Sequence, residues 1–149
     1  MRLVVQRVKE ASCTVDEKIT GQIKQGFMVP VGIGLDDNKE IVEKMAVKLS
    51  KLRVFEDENQ KMNLGIFDIE GSILSISQFT LYADCKKGNR PSYVNAMKGE
   101  DAIISRLEQL RKSKWLKTML ITGNSFSSCL FVINGEIIQN IVAKLTKIP

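Results

Sequence analysis

One stretch constrains this chain more than any other: a strand face that changes character partway along. Side chains alternate along a strand, so Ser72, Leu74, Ile76, Gln78 and Thr80 share one face. Leu74 and Ile76 suit a core, but the same row then presents an amide and a hydroxyl. Two polar groups continuing a buried row are costly unless something satisfies them. Either backbone groups do so, or the strand over 72–82 runs out of the core into a pocket. The residues that follow support the pocket. Lys86, Lys87 and Arg90 stand beside Gly88, Asn89 and Pro91, a rigid basic turn next to the polar strand end.

Composition removes many chemistries. The chain has 149 residues, enough for one domain, 1–149, with a real core. It contains no histidine, which excludes Ser-His-Asp and Cys-His sites and His-ligated metals. Cys13, Cys85 and Cys129 are scattered without a Cys-x-x-Cys pair, a usage that fits reduced thiols in a cytosol. Met1 to Val8 is too short and too charged for a signal peptide, and no run approaches a membrane span. The expectation is a soluble cytoplasmic protein with no membrane partner. Lys and Arg outnumber Asp and Glu by 22 to 17, a net charge of +5 that solubility alone explains. Its local concentration is more telling. Arg106, Arg111, Lys112, Lys114 and Lys117 are interleaved with Glu100, Asp101 and Glu108 and read as a solvated helix face. Lys86, Lys87 and Arg90 are the better candidates for phosphate contact.

Periodicity predicts one α/β domain. Met1 to Val8 reads as a strand, and Ser12 to Val15 pairs with Gly21 to Lys24 around Asp16, Glu17 and Lys18. Phe27 to Ile33 is a continuous apolar run. Pro30 removes a ladder donor within it, which suggests an edge or a bulge. Asp36 and Asp37 offer a cap for an amphipathic helix over 38–52, where Ile41, Val42, Met45, Leu49 and Leu52 recur at helical spacing. Val54 and Phe55 begin an extended piece that ends in the polar turn Glu56 to Lys61. A second helix is expected over 99–113. Met119 to Thr122 and Cys129 to Ile133 read as strands, and Glu136 to Val142 as a strand or helix. Many strands with two helices give a curved sheet or β-barrel with two flanking helices.

Four blocks of this sequence resemble the D-aminoacyl-tRNA deacylases, also called D-tyrosyl-tRNA deacylases. They are Val5-Gln6-Arg7-Val8 with Ala11-Ser12; Leu52 to Asp57 with Lys61-Met62-Asn63-Leu64; Ser77-Gln78-Phe79-Thr80-Leu81, similar to the family's Ser-Gln-x-Thr signature; and Lys87 to Tyr93. Their order and spacing agree over about the first hundred residues. The resemblance implies a homodimer that hydrolyses the ester between a D-amino acid, or glycine, and the terminal ribose of tRNA. Such an editing enzyme recycles mischarged tRNA, and no metal or organic cofactor is expected.

Roles follow from residue chemistry beside that resemblance. Thr80 as a nucleophile needs a base, no histidine exists, and no Lys or Glu is placed for it by sequence. A positioning mechanism fits better: the 2′-hydroxyl of the tRNA assists, while Gln78 and the backbone N–H groups around Phe79 and Thr80 stabilise the developing oxyanion. Phe79 walls the pocket or belongs to the core, and Ser77 contributes to the site or simply caps the strand. Arg7 lies on an apolar strand, where an unpaired guanidinium is expensive. The resemblance gives it a backbone loop of the other subunit as partner; the alternative is an ordinary surface arginine at a strand end. Met62 and Asn63 join Arg7 as candidate substrate contacts. A dimer is also expected from the apolar strand over 27–33 and the β-branched C-terminal strands, which offer more apolar edge than one small domain covers.

The C-terminal part departs from the family pattern. Family members end in Asn-x-Gly-Pro-Val-Thr, whose Gly-Pro crosses the dimer and screens the substrate's chiral centre. Pro30, Pro91 and Pro149 are the only prolines here, and none follows a glycine. Thr122-Gly123 and Phe126 still match, but in the nearest echo, Asn134-Gly135-Glu136, a glutamate stands where proline is expected. Either the chiral screen is built differently or the C-terminal segment is altered. A non-catalytic dimeric module that holds tRNA or a nucleotide is the alternative reading.

Overall fold

The computed structural model describes residues 1–86, 88–97, 119–121, 130–132 and 143–145. Its centre is a sheet of order β10-β1-β4-β7-β8, built from Arg2–Val8 (β1), Gly26–Gly32 (β4), Ser72–Ser77 (β7), Met119–Ile121 (β8) and Ala143–Leu145 (β10). Ala11–Val15 (β2), Lys18–Ile23 (β3) and Leu130–Val132 (β9) form a second sheet, of order β3-β2-β9. Arg53–Glu56 (β5) and Met62–Gly65 (β6) form a two-stranded ribbon. These sheets do not close into a barrel among the described residues. Among the described residues one α-helix is present, α1 over Lys39–Ser50. The second expected helix, the mixed-charge cluster on it, and Glu136 to Val142 lie outside the described residues.

Local sequence explains these elements. In β1, buried Leu3 and Val5 alternate with half-buried Arg2, Val4 and Gln6. The β2–β3 hairpin turns at Asp16 and Glu17, with φ 47° and 62°, the left-handed pair that a two-residue turn demands. β4 is neither an edge nor bulged at Pro30, and so offers no free edge to a second copy: it lies between antiparallel β1 and parallel β7, in unshifted register with β1. Burial on both faces accounts for its unbroken apolar run. The β1 register passes from Leu3–Val31 to Gln6–Met28, and Pro30, which lacks a donor, falls in that interval.

α1 presents Val42, Met45, Ala46 and Leu49 to the core. Its cap is Asn38, which accepts from the Ile41 N–H at 3.0 Å. The expected caps, Asp36 and Asp37, do not serve; Asp37 is turned inward instead. Two cores flank the central sheet. Leu3, Val5, Phe27, Val29, Met45, Leu49 and Phe55 pack on one side, with the rings of Phe27 and Phe55 at 5.0 Å. Val8, Ala11, Cys13, Ile23, Leu74 and Ile76 pack on the other. Thus β7 buries both faces at once, and the expected continuation of its pattern to residue 82 fails. The strand ends at Ser77, and Phe79–Tyr82 form a single turn of 3-10 helix.

Candidate functional site

Ser77 is the last rung of β7, opposite Val31, and the Gln78 N–H still reaches the Val31 carbonyl at 2.8 Å. The backbone then leaves the ladder at Gln78, with φ −144° and ψ 84°. Leu81 N–H to Gln78 O at 3.3 Å and Ala83 N–H to Thr80 O at 3.0 Å close the 3-10 turn. Gln78 and Thr80 satisfy each other, since the amide Nε2 donates to the Thr80 hydroxyl oxygen. The polar row is therefore neither buried nor matched by backbone alone. Ser77, Gln78, Phe79 and Thr80 are all half-buried at the end of the sheet. An amide takes up no proton at neutral pH, so it is no general base for the Thr80 hydroxyl.

The turn rests on two glycines. A β-carbon at Gly32 would stand 2.9 Å from Leu81 Cβ, and one at Gly34 would stand 2.6 Å from the Tyr82 hydroxyl. Below it the Arg2 guanidinium donates to Leu81 O at 2.6 Å and lies 4.4 Å from the centre of the Tyr82 ring. The Tyr82 hydroxyl donates to Asp37 Oδ2 at 3.3 Å, and the Gly34 N–H donates to the same oxygen at 2.6 Å. The Met1 ammonium is bonded to the other oxygen of this buried carboxylate. Burial, with the neighbouring Asp37 carboxylate, pushes the Tyr82 phenol above its ordinary range. Arg2, Asp37, Tyr82 and Asn95 border a cavity of about 240 Å³ on this side.

The basic turn follows directly. Asp84 and Ser92 bridge its base, Asp84 Oδ1 accepts from the Lys86 N–H at 2.9 Å, and Gly88 at φ +134° allows the reversal. Lys86 and Arg90 are exposed; Lys87 lies outside the described residues. The edge of Phe79 meets Tyr93 at 5.1 Å and 68°, which joins the turn to the Gln78–Thr80 segment.

Arg7, Met62 and Asn63 gather elsewhere. Arg7 is buried, so it is not a surface arginine. Within the chain its guanidinium donates to Val54 O at 2.8 Å and to Glu56 Oε1 at 3.3 Å, acceptors supplied by β5. Met62 lies opposite Glu56 in the ribbon and is half exposed. The Asn63 side-chain amide donates to Asp57 Oδ2 at 2.6 Å, and the Asn63 main-chain carbonyl accepts from Arg53 Nε at 2.5 Å. The Asn63 amide and the Lys61 N–H hold the Asp57 carboxyl below the usual carboxylate range. This group lies at the other end of the sheet. Arg7 pairs with Phe27, level with Ile73, whereas Ser77 is level with Val31. Four residues of strand separate the two levels, roughly 13 Å.

Sequence reasoning missed Arg2, Tyr82 and the inward role of Asp37. A signal existed in Gly32-Ile33-Gly34, two glycines ending an apolar strand, which mark close approach of another backbone. Among the described residues no group of three Cys, Asp or Glu side chains is placed to hold a metal ion. No helix among them is long and apolar enough to cross a membrane.

Comparison with known proteins bears on the family and the fold. A sequence model described as D-Tyr-tRNA(Tyr) deacylase matches residues 4–124. A D-aminoacyl-tRNA deacylase of Clostridium novyi is 58% identical over 102 residues, 68% of each chain. One from Thermotoga petrophila is 52% identical over 120 residues, 78% of this chain and 80% of its own. Among solved structures, the c-Myc DNA Unwinding Element Binding Protein superposes with a TM-score of 0.83 at 36% identity over the whole of both chains. A probable eukaryotic D-amino acid tRNA deacylase superposes with a TM-score of 0.73 at 15% identity over 97% of each, a likeness of fold. This chain belongs to the D-Tyr-tRNA(Tyr) deacylase family.

Proposed function

We propose that this chain hydrolyses the ester of D-aminoacyl-tRNA, releasing the free D-amino acid and tRNA as a quality-control step of translation in the cytoplasm. The observation that carries the reading is 52% to 58% identity to relatives named D-aminoacyl-tRNA deacylase. Glycine esterified to tRNA is a second substrate of the same site. Water attacks the ester carbonyl, the bond to the ribose oxygen breaks, and that oxygen leaves with a proton. The neighbouring 2′-hydroxyl of the ribose assists. Gln78, with backbone N–H groups around Phe79 and Thr80, stabilises the oxyanion. The bond from Gln78 to Thr80 supports this division of labour, because it orients the amide and gives the hydroxyl no base. Ser77 and Phe79 frame the ester, and Lys86, Lys87 and Arg90 meet the RNA phosphates.

The working unit is a homodimer. Arg7, Met62 and Asn63 serve the same substrate as Gln78 and Thr80 only if the two groups come from different copies, since roughly 13 Å of strand parts them within one chain. Exposed Met62 and Phe67 provide apolar surface near the Arg7 end.

Release of tyrosine from D-tyrosyl-tRNA tests the reading. Gln78→Ala should lower kcat by about two orders of magnitude, while Thr80→Ala keeps substantial activity. The opposite ranking restores covalent catalysis by Thr80. The named function of the 36% identical DNA unwinding element binding protein favours a second reading, nucleic-acid binding without hydrolysis. Tight binding of D-tyrosyl-tRNA with no release would establish it.

A further inference from the structure

The turn that carries Gln78 and Thr80 has little of its own to hold it. All four residues of Phe79–Tyr82 are only half-buried, so no side chain of the turn is anchored deep in either core. A single 3-10 turn closed by bonds of 3.3 and 3.0 Å is not self-supporting. Its entry is fixed by the Gln78 N–H bond to Val31 O and its outer side by the edge contact of Phe79 with Tyr93; its far end, Leu81 and Tyr82, is held from below. Arg2 uses one planar group twice, donating to Leu81 O while stacking on Tyr82, a double contact an ammonium does not reproduce. Tyr82 passes the restraint to Asp37, and Asp37 is itself fixed by the Gly34 N–H and the Met1 ammonium. The chain of contacts runs from a buried carboxylate to the residue after Thr80.

We infer that Arg2 and Tyr82 are positioning residues for the deacylation site: they clamp the 3-10 turn so that Gln78 faces the ester, without touching substrate themselves. The inference rests on the function proposed above. Catalysis by oriented dipoles depends on placement, and a displacement of about 1 Å costs up to about a hundredfold in rate. Loss of the clamp therefore acts on kcat, because ground-state binding of the tRNA lies mostly with phosphate contacts elsewhere.

The test combines hydrogen–deuterium exchange with steady-state kinetics on the full chain. In Arg2→Ala, the amides of Leu81 and Ala83 should exchange at least about tenfold faster, while those of β1 and β4 keep their protection. In the same variant kcat for D-tyrosyl-tRNA should fall about tenfold, with KM within about twofold of wild type. Arg2→Lys should not restore kcat, because charge alone does not rebuild the double contact. Tyr82→Phe keeps the ring under Arg2 and loses only the bond to Asp37, so a loss of about threefold is expected. Should Arg2→Ala fail to fold, Tyr82→Phe carries the test through the same two readouts. Unchanged exchange at Leu81 and Ala83 overturns the clamp whatever the activity. Faster exchange with unchanged kcat overturns the positioning role. Full rescue by lysine, or a rise in KM at constant kcat, makes Arg2 a phosphate contact and also overturns it. A wild-type chain that releases no amino acid overturns the functional reading and the role in that reaction, whereas exchange still decides the clamp itself.

Discussion

Replacing Gly32 by alanine asks whether the turn bearing Gln78 and Thr80 must lie where it does. The new methyl would stand 2.9 Å from Leu81 Cβ, 3.2 Å from Gln78 O and 3.2 Å from Tyr82 Cδ2. Carbon contacts settle at about 3.5–4.0 Å, so the turn must retreat by roughly 0.5–1 Å. A main-chain oxygen and a β-carbon retreat only with their backbone. Overpacking of this kind costs about 1–3 kcal/mol, a loss of several degrees in Tm that a folded domain survives. The same displacement costs a positioned catalytic group about one to two orders of magnitude in rate. Gly34→Ala is the matched control. Its methyl meets the Tyr82 Oη, Cζ and Cε1 at 2.6, 2.8 and 2.9 Å, the far end of a side chain that swings away without moving the main chain. It loosens the ring's contacts with Asp37 and Arg2 but leaves the main chain and the Arg2 bond to Leu81 O in place, so it should cost less than Gly32→Ala, a few-fold. Single-turnover release from D-tyrosyl-tRNA, with thermal denaturation followed by circular dichroism, measures both effects. Wild-type turnover in folded Gly32→Ala, or equal losses in the two variants, would refute the reasoning.

Three further outcomes follow from the rest of the molecule. Arg7→Ala leaves the Val54 carbonyl without its donor and should lower stability by about 1–3 kcal/mol; Glu56→Gln, at a side chain 44% exposed, should cost under about 1 kcal/mol, both read from urea midpoints. Neutralising Lys86, Lys87 and Arg90 should flatten the salt dependence of tRNA binding by about 0.7 to 0.9 in slope per lost phosphate contact, and an unchanged slope returns the cluster to solubilising charge. Asp57 has its folded pKa lowered by Asn63 and the Lys61 N–H, so its contribution is present above the ordinary value of 3.8 and is lost as pH falls through the folded value. Asp57→Asn should flatten the acid limb of a stability–pH curve below about pH 4 and leave its neutral part the same shape.

Much of the fold was legible because its signals are local. The alternation of Leu3 and Val5, the recurrence of Val42, Met45 and Leu49, and the turn at Asp16 and Glu17 each follow from one element's own geometry. Errors arose where tertiary packing decides. Pro30 argued for an edge or a bulge, yet two flanking strands bury β4, and its register with β1 runs unshifted past the missing donor. Asp37 looked like a cap because it precedes a helix, but the Gly34 N–H and the Met1 ammonium draw it inward and leave capping to Asn38. The change from strand to 3-10 turn at Gln78 breaks the twofold pattern at the residues proposed above to carry the site. No periodicity argument sees that break, since Leu81 and Tyr82 are apolar enough to continue a strand. Arg7 was read correctly as needing an acceptor, but the acceptor lies 47 residues away on β5, a distance no local pattern spans.

Selectivity between enantiomers is the last property the chain's chemistry bears on. A site rejects the wrong hand by placing something where that side chain would go. In the family this sequence resembles, a Gly-Pro pair from the other subunit does so. Here Pro30 is inside β4 and Pro91 is exposed in the basic turn, and neither follows a glycine. Among the described residues the edge-on pair of Phe79 and Tyr93 borders Gln78, an apolar wall that distinguishes shapes by contact alone. Discrimination by apolar contact is worth about 1–3 kcal/mol at best, and less when the misplaced group projects into solvent. We therefore expect kcat/KM for D-tyrosyl-tRNA to exceed that for L-tyrosyl-tRNA by no more than about tenfold. Replacing the segment that begins at Asn134 with Asn-x-Gly-Pro-Val-Thr should raise that ratio by lowering L-turnover while leaving D-turnover in place. A ratio already above about a thousand in the unmodified chain exceeds what such a wall supplies. It would mean that a screening group other than Gly-Pro faces the chiral centre.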